Sequence, residues 1–253
     1  MSLLTVTGLS KEFGGIHAVE DLSFAINPGT IHSIIGPNGA GKTTLFNLIT
    51  GVYTPTRGGI RLEEREIAGR RPSELAALGM SRTFQNLQVF FNMTAIENVM
   101  VGAHLHLGRG FLASLLRLPS VARSDRACRA RAVELLEFVG LGRYVHADAA
   151  SMPYGALKRL EIARALAARP RLLLLDEPAA GLNATESREI DDVIKKVAAT
   201  GITVVLVEHD MKMVMGISDH ILVLNYGRKL AEGTPAEIRA NSDVVAAYLG
   251  ANG

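Results

Sequence analysis

The first and last parts of the chain carry short apolar segments that predict β-strands. Two of them, residues 3–7 and 22–26, alternate partly between apolar and polar positions. Three others are mainly apolar runs of the kind found in buried strands of parallel sheets: Ile31–Ile35, 172–175 and 202–207. A polar or glycine-containing segment and then helical spacing follow each run. This order predicts a parallel sheet with crossover helices.

A pattern near the C-terminus predicts a hairpin. Residues 221–224 and 229–231 are strand-like and flank a turn that contains Asn225, Tyr226 and Gly227. Two short strands around such a turn are expected to pair antiparallel.

The middle of the chain, residues 94–168, has mostly helical spacing. Two sets of apolar residues each fall on one helix face: Ala132, Leu135, Leu136 and Val139, and then Leu160, Ala163 and Ala167. An irregular piece, residues 104–125, lies before them. We therefore predict a helical subdomain at about residues 91–164, inserted between the two parts of an α/β core, about 1–90 and 165–253.

Composition and charge narrow the class of protein. The chain has 253 residues, 48% of them hydrophobic and 21% charged, which suits a globular protein with a sizeable core. The net charge of +2 argues against a nucleic-acid partner, since dedicated nucleic-acid binders are strongly basic. Cys128 is the sole cysteine, so no intrachain disulfide can form; we expect a reducing compartment and a buried filler role on a helix.

Membrane and targeting segments are not predicted. The N-terminal stretch MSLLTVTGLSKEF lacks a basic region followed by a long apolar run, so no signal peptide is expected. Residues 99–122 come nearest to a membrane span, but His104, His106, Arg109 and Arg117 interrupt them. We expect the chain to associate with membrane proteins without crossing the membrane itself.

The motif GPNGAGKT lies between the predicted strand Ile31–Ile35 and a predicted helix, and it has the spacing G-x-x-x-x-G-K-T. Glycines let backbone N–H groups surround phosphate oxygens, and the helix N-terminus adds a positive dipole. Lys42 is expected to reach the β- and γ-phosphates and the Thr43 hydroxyl to bind Mg²⁺. The predicted ATP-binding loop comprises Gly36, Pro37, Asn38, Gly39, Ala40, Gly41, Lys42, Thr43 and Thr44.

Two further apolar runs end in polar side chains that belong at the same sheet edge. Asp176 and Glu177 follow the run 172–175, and His209 follows the run 202–207. Asp176 is predicted to hold Mg²⁺ through water and Glu177 to activate or orient water, while His209 could hydrogen-bond the γ-phosphate. Taken alone, the acidic pair could be a solvated turn or helix cap, and His209 could be structural.

In this order, these motifs resemble those of the ATP-binding subunit of ABC transporters over nearly the whole chain. The resemblance implies a P-loop NTPase core with a mostly parallel sheet, an N-terminal antiparallel β subdomain and an inserted helical subdomain. It also implies that Phe13 stacks on adenine and that Gln85 helps to bind Mg²⁺ and to catalyse hydrolysis with Glu177 and His209. The loop Gly181, Leu182 and Asn183 would contact a second ATPase subunit.

The signature segment of this family, usually LSGGQ, is altered here. Pro153, Tyr154, Gly155 and Ala156 stand at the positions that would face ATP bound by the partner subunit. Pro153 has neither a hydroxyl nor a backbone N–H, and Ala156 has no side-chain amide. The N–H of Gly155 and the dipole of the following helix remain. We therefore expect a weakened partner site and favour a heterodimer of two different ATPase subunits.

Several stretches, including RTFQNLQVFFNMTAIENVMVGAH and GRKLAEGTPAEI, resemble the branched-chain amino acid importer group, as does the piece at residues 105–125. That resemblance implies a motor at the cytoplasmic face of the inner membrane, with permease subunits and, indirectly, a substrate-binding protein. Importers of urea, amides or other amino acids and lipopolysaccharide-type exporters are alternatives. So are a non-transport ABC ATPase and a scaffold that binds nucleotide without hydrolysis. Residues 85–92 are expected to contact the permeases; Val89, Phe90 and Phe91 could be core or docking residues.

Overall fold

The computed structural model describes residues 2–104 and 119–249. Its strands form two sheets. The strands are β1 (Leu4–Phe13), β2 (Ile16–Ile26), β3 (Ile31–Ile35), β4 (Arg57–Leu62), β5 (Arg65–Glu66), β6 (Met80–Arg82), β7 (Leu172–Asp176), β8 (Thr203–Val207), β9 (His220–Asn225) and β10 (Arg228–Gly233). The helices are α1 (Lys42–Ile49), α2 (Pro72–Ala77), α3 (Ala95–Gly102), α4 (Pro119–Phe138), α5 (Tyr154–Ala167), α6 (Ala184–Ala199), α7 (Met211–Ile217), α8 (Pro235–Ala240) and α9 (Ser242–Leu249).

The larger sheet has the order β10-β9-β3-β8-β7-β6. Five of its strands run parallel: β9, β3, β8, β7 and β6. Strand β10 pairs antiparallel with β9 at the edge. Every residue of β3, β7 and β8 is buried, because the sheet is covered on both faces. The predicted parallel sheet and the predicted terminal hairpin are both confirmed.

The smaller sheet is antiparallel, with the order β2-β1-β4-β5, as the resemblance implied. Its first two strands are longer than predicted, since β1 has ten residues and β2 eleven. The register between them shifts after Val6, Leu9 and Lys11. Each irregularity breaks the two-residue alternation while the strands continue to pair, so the sequence pattern revealed only part of each strand.

In the sequence, helices α3, α4 and α5 come between strands β6 and β7, and they pack on one another. Both predicted apolar faces are buried: Ala132, Leu135, Leu136 and Val139, and Leu160, Ala163 and Ala167. Cys128 is buried on α4, as predicted. Most of the piece at residues 105–125 lies outside the described residues, and the subdomain boundaries at 91 and 164 stay a proposal. Within the described part of the chain, no helix is long and apolar enough to span a membrane.

Candidate functional site

The loop between β3 and α1 borders a cavity of about 450 Å³. The described residues that line this cavity are Ile16, His17, Ala18, Asn38, Gly39, Ala40, Gly41, Lys42, Thr43, Thr44, Glu177 and Tyr226. Strand β3 ends at Ile35 and helix α1 begins at Lys42, so the helix N-terminus faces the same space. A cavity bounded by backbone N–H groups and a helix N-terminus is suited to an anion.

Glycine is required at the start of this loop by a close backbone contact. A Cβ atom at Gly36 would lie 2.3 Å from the carbonyl oxygen of Leu224 on β9. No real Cβ tolerates that distance from a backbone atom, so the loop could not follow this path with a side chain at this position.

Lys42 is the cation of the loop. Its Nζ donates to the carbonyl oxygens of Gly36 (2.6 Å) and Pro37 (2.9 Å). Burial lowers the pKa of Lys42, and the charge of Glu177 partly offsets this effect. These hydrogen bonds hold the ammonium group over its own loop, beside the cavity that the loop borders.

Asp176, the last residue of β7, is buried and paired with a cation. Its Oδ2 accepts from Nη2 of Arg82 at 2.8 Å, and the Arg82 Nη1 donates to Asn47 Oδ1 (2.7 Å) and Thr50 Oγ1 (2.8 Å). Arg82 ends the three-residue strand β6 and was not predicted to belong to the site. A lone arginine in a short segment has no periodic signal, and its partner is 94 residues away.

Glu177 begins the loop after β7 in an unusual backbone conformation. Its φ is 48°, a left-handed value that is uncommon for a residue with a side chain. Its N–H donates to the carbonyl of Val207 at the end of β8 (3.0 Å). The carboxylate lines the cavity, and its Oε2 accepts from Nε2 of Gln85 at 2.9 Å. The structure therefore brings together the Gln85 and Glu177 side chains, 92 residues apart in sequence.

His209 follows β8 and its side chain is 67% exposed. It is positioned by its neighbour Glu208, which sequence reasoning did not select. The buried Glu208 carboxylate accepts from the N–H groups of Ala179 (2.9 Å), His209 (3.1 Å) and Asp210 (3.4 Å). One side chain thus joins the loop after β7 to the loop after β8. The signal in the sequence was a carboxylate directly after a mainly apolar strand.

The segment around Gln85 is attached to the helices rather than to the sheet. Nζ of the buried Lys158 donates to the Gln85 carbonyl at 3.1 Å, and Glu161 accepts from the Gln88 N–H at 2.7 Å. Asn98 accepts from the N–H of Phe90 (2.9 Å) and donates to its carbonyl (3.0 Å). Burial raises the pKa of Glu161, and the hydrogen bond from Gln88 opposes this shift. Movement of the helices would therefore move Gln85 relative to Glu177.

Comparison with known proteins identifies the family to which this site belongs. The family model for ABC transporters matches residues 19–180, which include the phosphate-binding loop, Gln85 and Glu177. The chain belongs to the ABC transporter family. A second model, for branched-chain amino acid ATP-binding cassette transporters, matches residues 228–253 of this ABC ATPase.

The ABC ATPase is similar over nearly its whole length to known proteins. It is 49% identical to the high-affinity branched-chain amino acid transport ATP-binding protein BraF of Pseudomonas aeruginosa, over 98% of each chain. The ADP conformation of an ABC transporter ATP-binding cassette is 32% identical, with a TM-score of 0.86 over 99% of each chain. A dimeric post-hydrolysis cassette bound to ADP and phosphate is 26% identical, with a TM-score of 0.77 over 92% of this chain and 98% of the other. The chain is thus an ATP-binding ATPase.

Phe13, the expected adenine platform, ends β1 and is 42% exposed. Its ring contacts Tyr53 edge-on with centroids 5.3 Å apart, and Nζ of Lys11 lies 4.9 Å from its centroid. Ile16, its partner across the hairpin, lines the cavity and is 72% exposed. Stacking of adenine on Phe13 stays a prediction. Ile16, which pairs with Phe13 across the hairpin, is the apolar residue next to it.

The altered signature segment begins α5. Pro153 is the N-cap residue without a side-chain capping bond, and Tyr154 is 43% exposed. Ala156 is buried, and its side chain packs in the helical core. At Gly155 a Cβ would lie 2.7 Å from Oε1 of Glu186, which brings a carboxylate to this helix N-terminus.

The predicted dimer loop lies directly beside the signature segment. A Cβ placed on Gly181 would be 3.3 Å from the Tyr154 ring. Asn183 caps α6 by accepting from the N–H groups of Thr185 (2.9 Å) and Glu186 (3.1 Å). The partner-facing roles of both segments stay predictions.

The segment expected to contact permeases, residues 85–92, contains both buried and exposed apolar side chains. Val89 is buried in the helical core, whereas Phe90 and Phe91 are 43% and 50% exposed. Phe90 borders an apolar cavity of about 500 Å³, together with Val52, Phe84 and other residues of both the sheet and the helices. Val89 is therefore a core residue, and Phe90 and Phe91 are available for docking.

Proposed function

We propose that this ABC ATPase is the ATP-hydrolysing motor subunit of an importer of branched-chain amino acids, bound to separate permease subunits at the cytoplasmic face of the inner membrane. The observation that carries this proposal is the likeness to BraF along nearly the whole chain. The match of the C-terminal residues to the branched-chain amino acid cassette model supports it. A substrate-binding protein would deliver the amino acid on the opposite side of the membrane.

The residues proposed to hold Mg²⁺ are Thr43, Gln85 and Asp176, with Asp176 acting through water. All three side chains supply oxygen, the ligand atom that Mg²⁺ prefers. Arg82 occupies only Oδ2 of Asp176, and Gln85 contacts Glu177 through its nitrogen, so an oxygen of each side chain is available. The ion would neutralise charge on the phosphates of ATP.

Hydrolysis in this site depends mainly on positioning. The loop from Gly36 to Thr44 holds the phosphates by backbone N–H groups, and Lys42 adds a positive charge. Glu177 accepts a proton from the attacking water, and Gln85 fixes the Glu177 carboxylate by its hydrogen bond. His209 lies on the same sheet edge, where it would hydrogen-bond the γ-phosphate.

The partner in the assembled importer is proposed to be a second, different ATPase subunit. Pro153 supplies no N–H or hydroxyl, Ala156 is buried, and Glu186 adds negative charge beside the N-terminus of α5. A carboxylate at a helix N-terminus competes with a bound phosphate. A heterodimer would keep this weak site in one half and leave the other half to the partner's own signature segment.

Purification of the native assembly from membranes tests the proposed function. We expect permease subunits and a second ATPase to co-purify, and the assembly in vesicles to take up leucine when ATP is supplied on the motor side. The isolated chain is expected to turn over ATP slowly. Uptake of urea, amides or another amino acid instead of leucine, or export of a lipid, would refute the substrate assignment. Rapid turnover with tight ATP-dependent homodimers would refute the heterodimer.

Charge at Phe91 is expected to uncouple ATP hydrolysis from transport. Phe91→Asp places a carboxylate on an exposed apolar position next to Phe90 in the segment proposed for docking, so permease contact should be lost while the fold remains. Vesicle uptake should fall at least tenfold, and the turnover of the isolated chain should change less than twofold. Val245→Asp, at an exposed apolar residue of α9, is the control and should leave both unchanged. A large loss of thermal stability in Phe91→Asp would show a core role instead.

A further inference from the structure

Three potential metal ligands meet on neighbouring strands of the large sheet, away from the phosphate-binding loop. His32 on β3 and His220 on β9 are cross-strand partners, with ring centroids 4.8 Å apart and planes at 75°. Glu232 lies on β10, and its Oε1 is 3.5 Å from Nε2 of His220. His32 is near the start of β3, whereas Gly36 follows its end, so roughly 13 Å of strand separates them.

His32 is the side chain that points to a ligand. It is only 1% exposed, and its Nε2 has no hydrogen-bond partner among the described residues. Burial and, secondarily, the charge of His220 lower its pKa to about 4, so the imidazole is neutral at neutral pH. A neutral imidazole nitrogen without a partner can donate its lone pair to a metal ion.

The cluster is close to the geometry that a tetrahedral ion requires. Ligand atoms at about 2.0–2.1 Å from zinc lie about 3.3 Å from one another. The three ligand atoms here lie within 4.8 Å of one another, and the His220–Glu232 pair is already at 3.5 Å. Both of these side chains are partly exposed and can adjust towards His32. Lys229 binds the other oxygen of Glu232 at 2.8 Å, which orients the carboxylate without occupying Oε1.

We propose that His32, His220 and Glu232 form a binding site for a divalent ion of the zinc class, separate from the ATP site. Two imidazoles and one carboxylate are the ligand set of zinc and related transition metals, whereas Mg²⁺ prefers an all-oxygen set. A water molecule would complete the tetrahedron on the exposed side of His220. The bound ion would tie together β3, β9 and β10, and β3 leads directly into the phosphate-binding loop.

Titration of the tag-free, chelator-treated full chain with Co²⁺ and Zn²⁺, without nucleotide, tests this site. We expect one equivalent of Co²⁺ to give the intense visible absorption of tetrahedral coordination and Zn²⁺ to displace it. His220→Asn and Glu232→Gln should each weaken binding at least tenfold. His146→Asn, a histidine outside the cluster, is the control and should bind like the unaltered chain. ATP binding by each variant shows that it is folded.

Two results would overturn the inference. One is the absence of tetrahedral Co²⁺ absorption in the unaltered chain. The other is unchanged Co²⁺ affinity in both His220→Asn and Glu232→Gln, which would assign the ion to another site, such as the carboxylates after β7. Because the titration uses no permease and no ATP, its outcome is independent of the proposed transport function.

Discussion

Glu177→Gln is expected to abolish most ATP turnover while leaving ATP binding intact. The amide cannot accept the proton of the attacking water, and general bases contribute roughly 10²- to 10⁴-fold to such reactions. Binding should persist because Lys42 and the backbone of the phosphate-binding loop are untouched. When the second ATPase subunit is present, an ATP-bound dimer should accumulate, since hydrolysis no longer opens it. The measurements are steady-state phosphate release and ATP affinity.

Glu64→Gln, at a carboxylate whose side chain is 88% exposed, is the control and should keep full turnover. Glu177→Gln activity above about a tenth of the original, a barrier increase below ~1.4 kcal/mol, would assign the base role to another residue. His209 would then be the next candidate, because the other titratable side chain predicted for this edge, Asp176, is paired with Arg82.

Arg82→Met is expected to lower the free energy of unfolding by about 3–5 kcal/mol. Removing one member of a buried ion pair leaves the other charge without compensation. Both side chains are buried, at 9% and 10% exposure, and Arg82 also loses its hydrogen bonds to Asn47 and Thr50. Urea denaturation followed by circular dichroism measures the change.

Two comparisons isolate the buried pair. Arg61→Met removes an exposed partner of Glu64 and should cost no more than about 1 kcal/mol. Arg82→Met combined with Asp176→Asn should cost less than the sum of the two single changes, because the unpaired charge is then absent. A loss for Arg82→Met as small as that for Arg61→Met would show that Asp176 does not need this partner when ATP is absent.

The phosphate-binding loop could be predicted from sequence because it is a local structure. The spacing of Gly36, Gly41 and Lys42 between an apolar run and a helical pattern specifies a strand, a tight loop and a helix N-terminus. Most residues of the buried central strands are apolar, so their bounds were predictable to within about one residue. The ends of β1 and β2 were not, because register shifts in the ladder remove the alternation.

The sequence by itself therefore determined the family, the phosphate-binding loop, the order of the central strands along the chain and the membership of Glu177 and His209 in one sheet edge. Tertiary structure alone decided the contacts between distant residues. These include Arg82 with Asp176, Gln85 with Glu177, and the meeting of His32, His220 and Glu232. It also decided that Val89 is core while Phe91 is exposed. The physical reason is that strand pairing and helix packing select which distant side chains meet, and no pattern within a few residues encodes that selection.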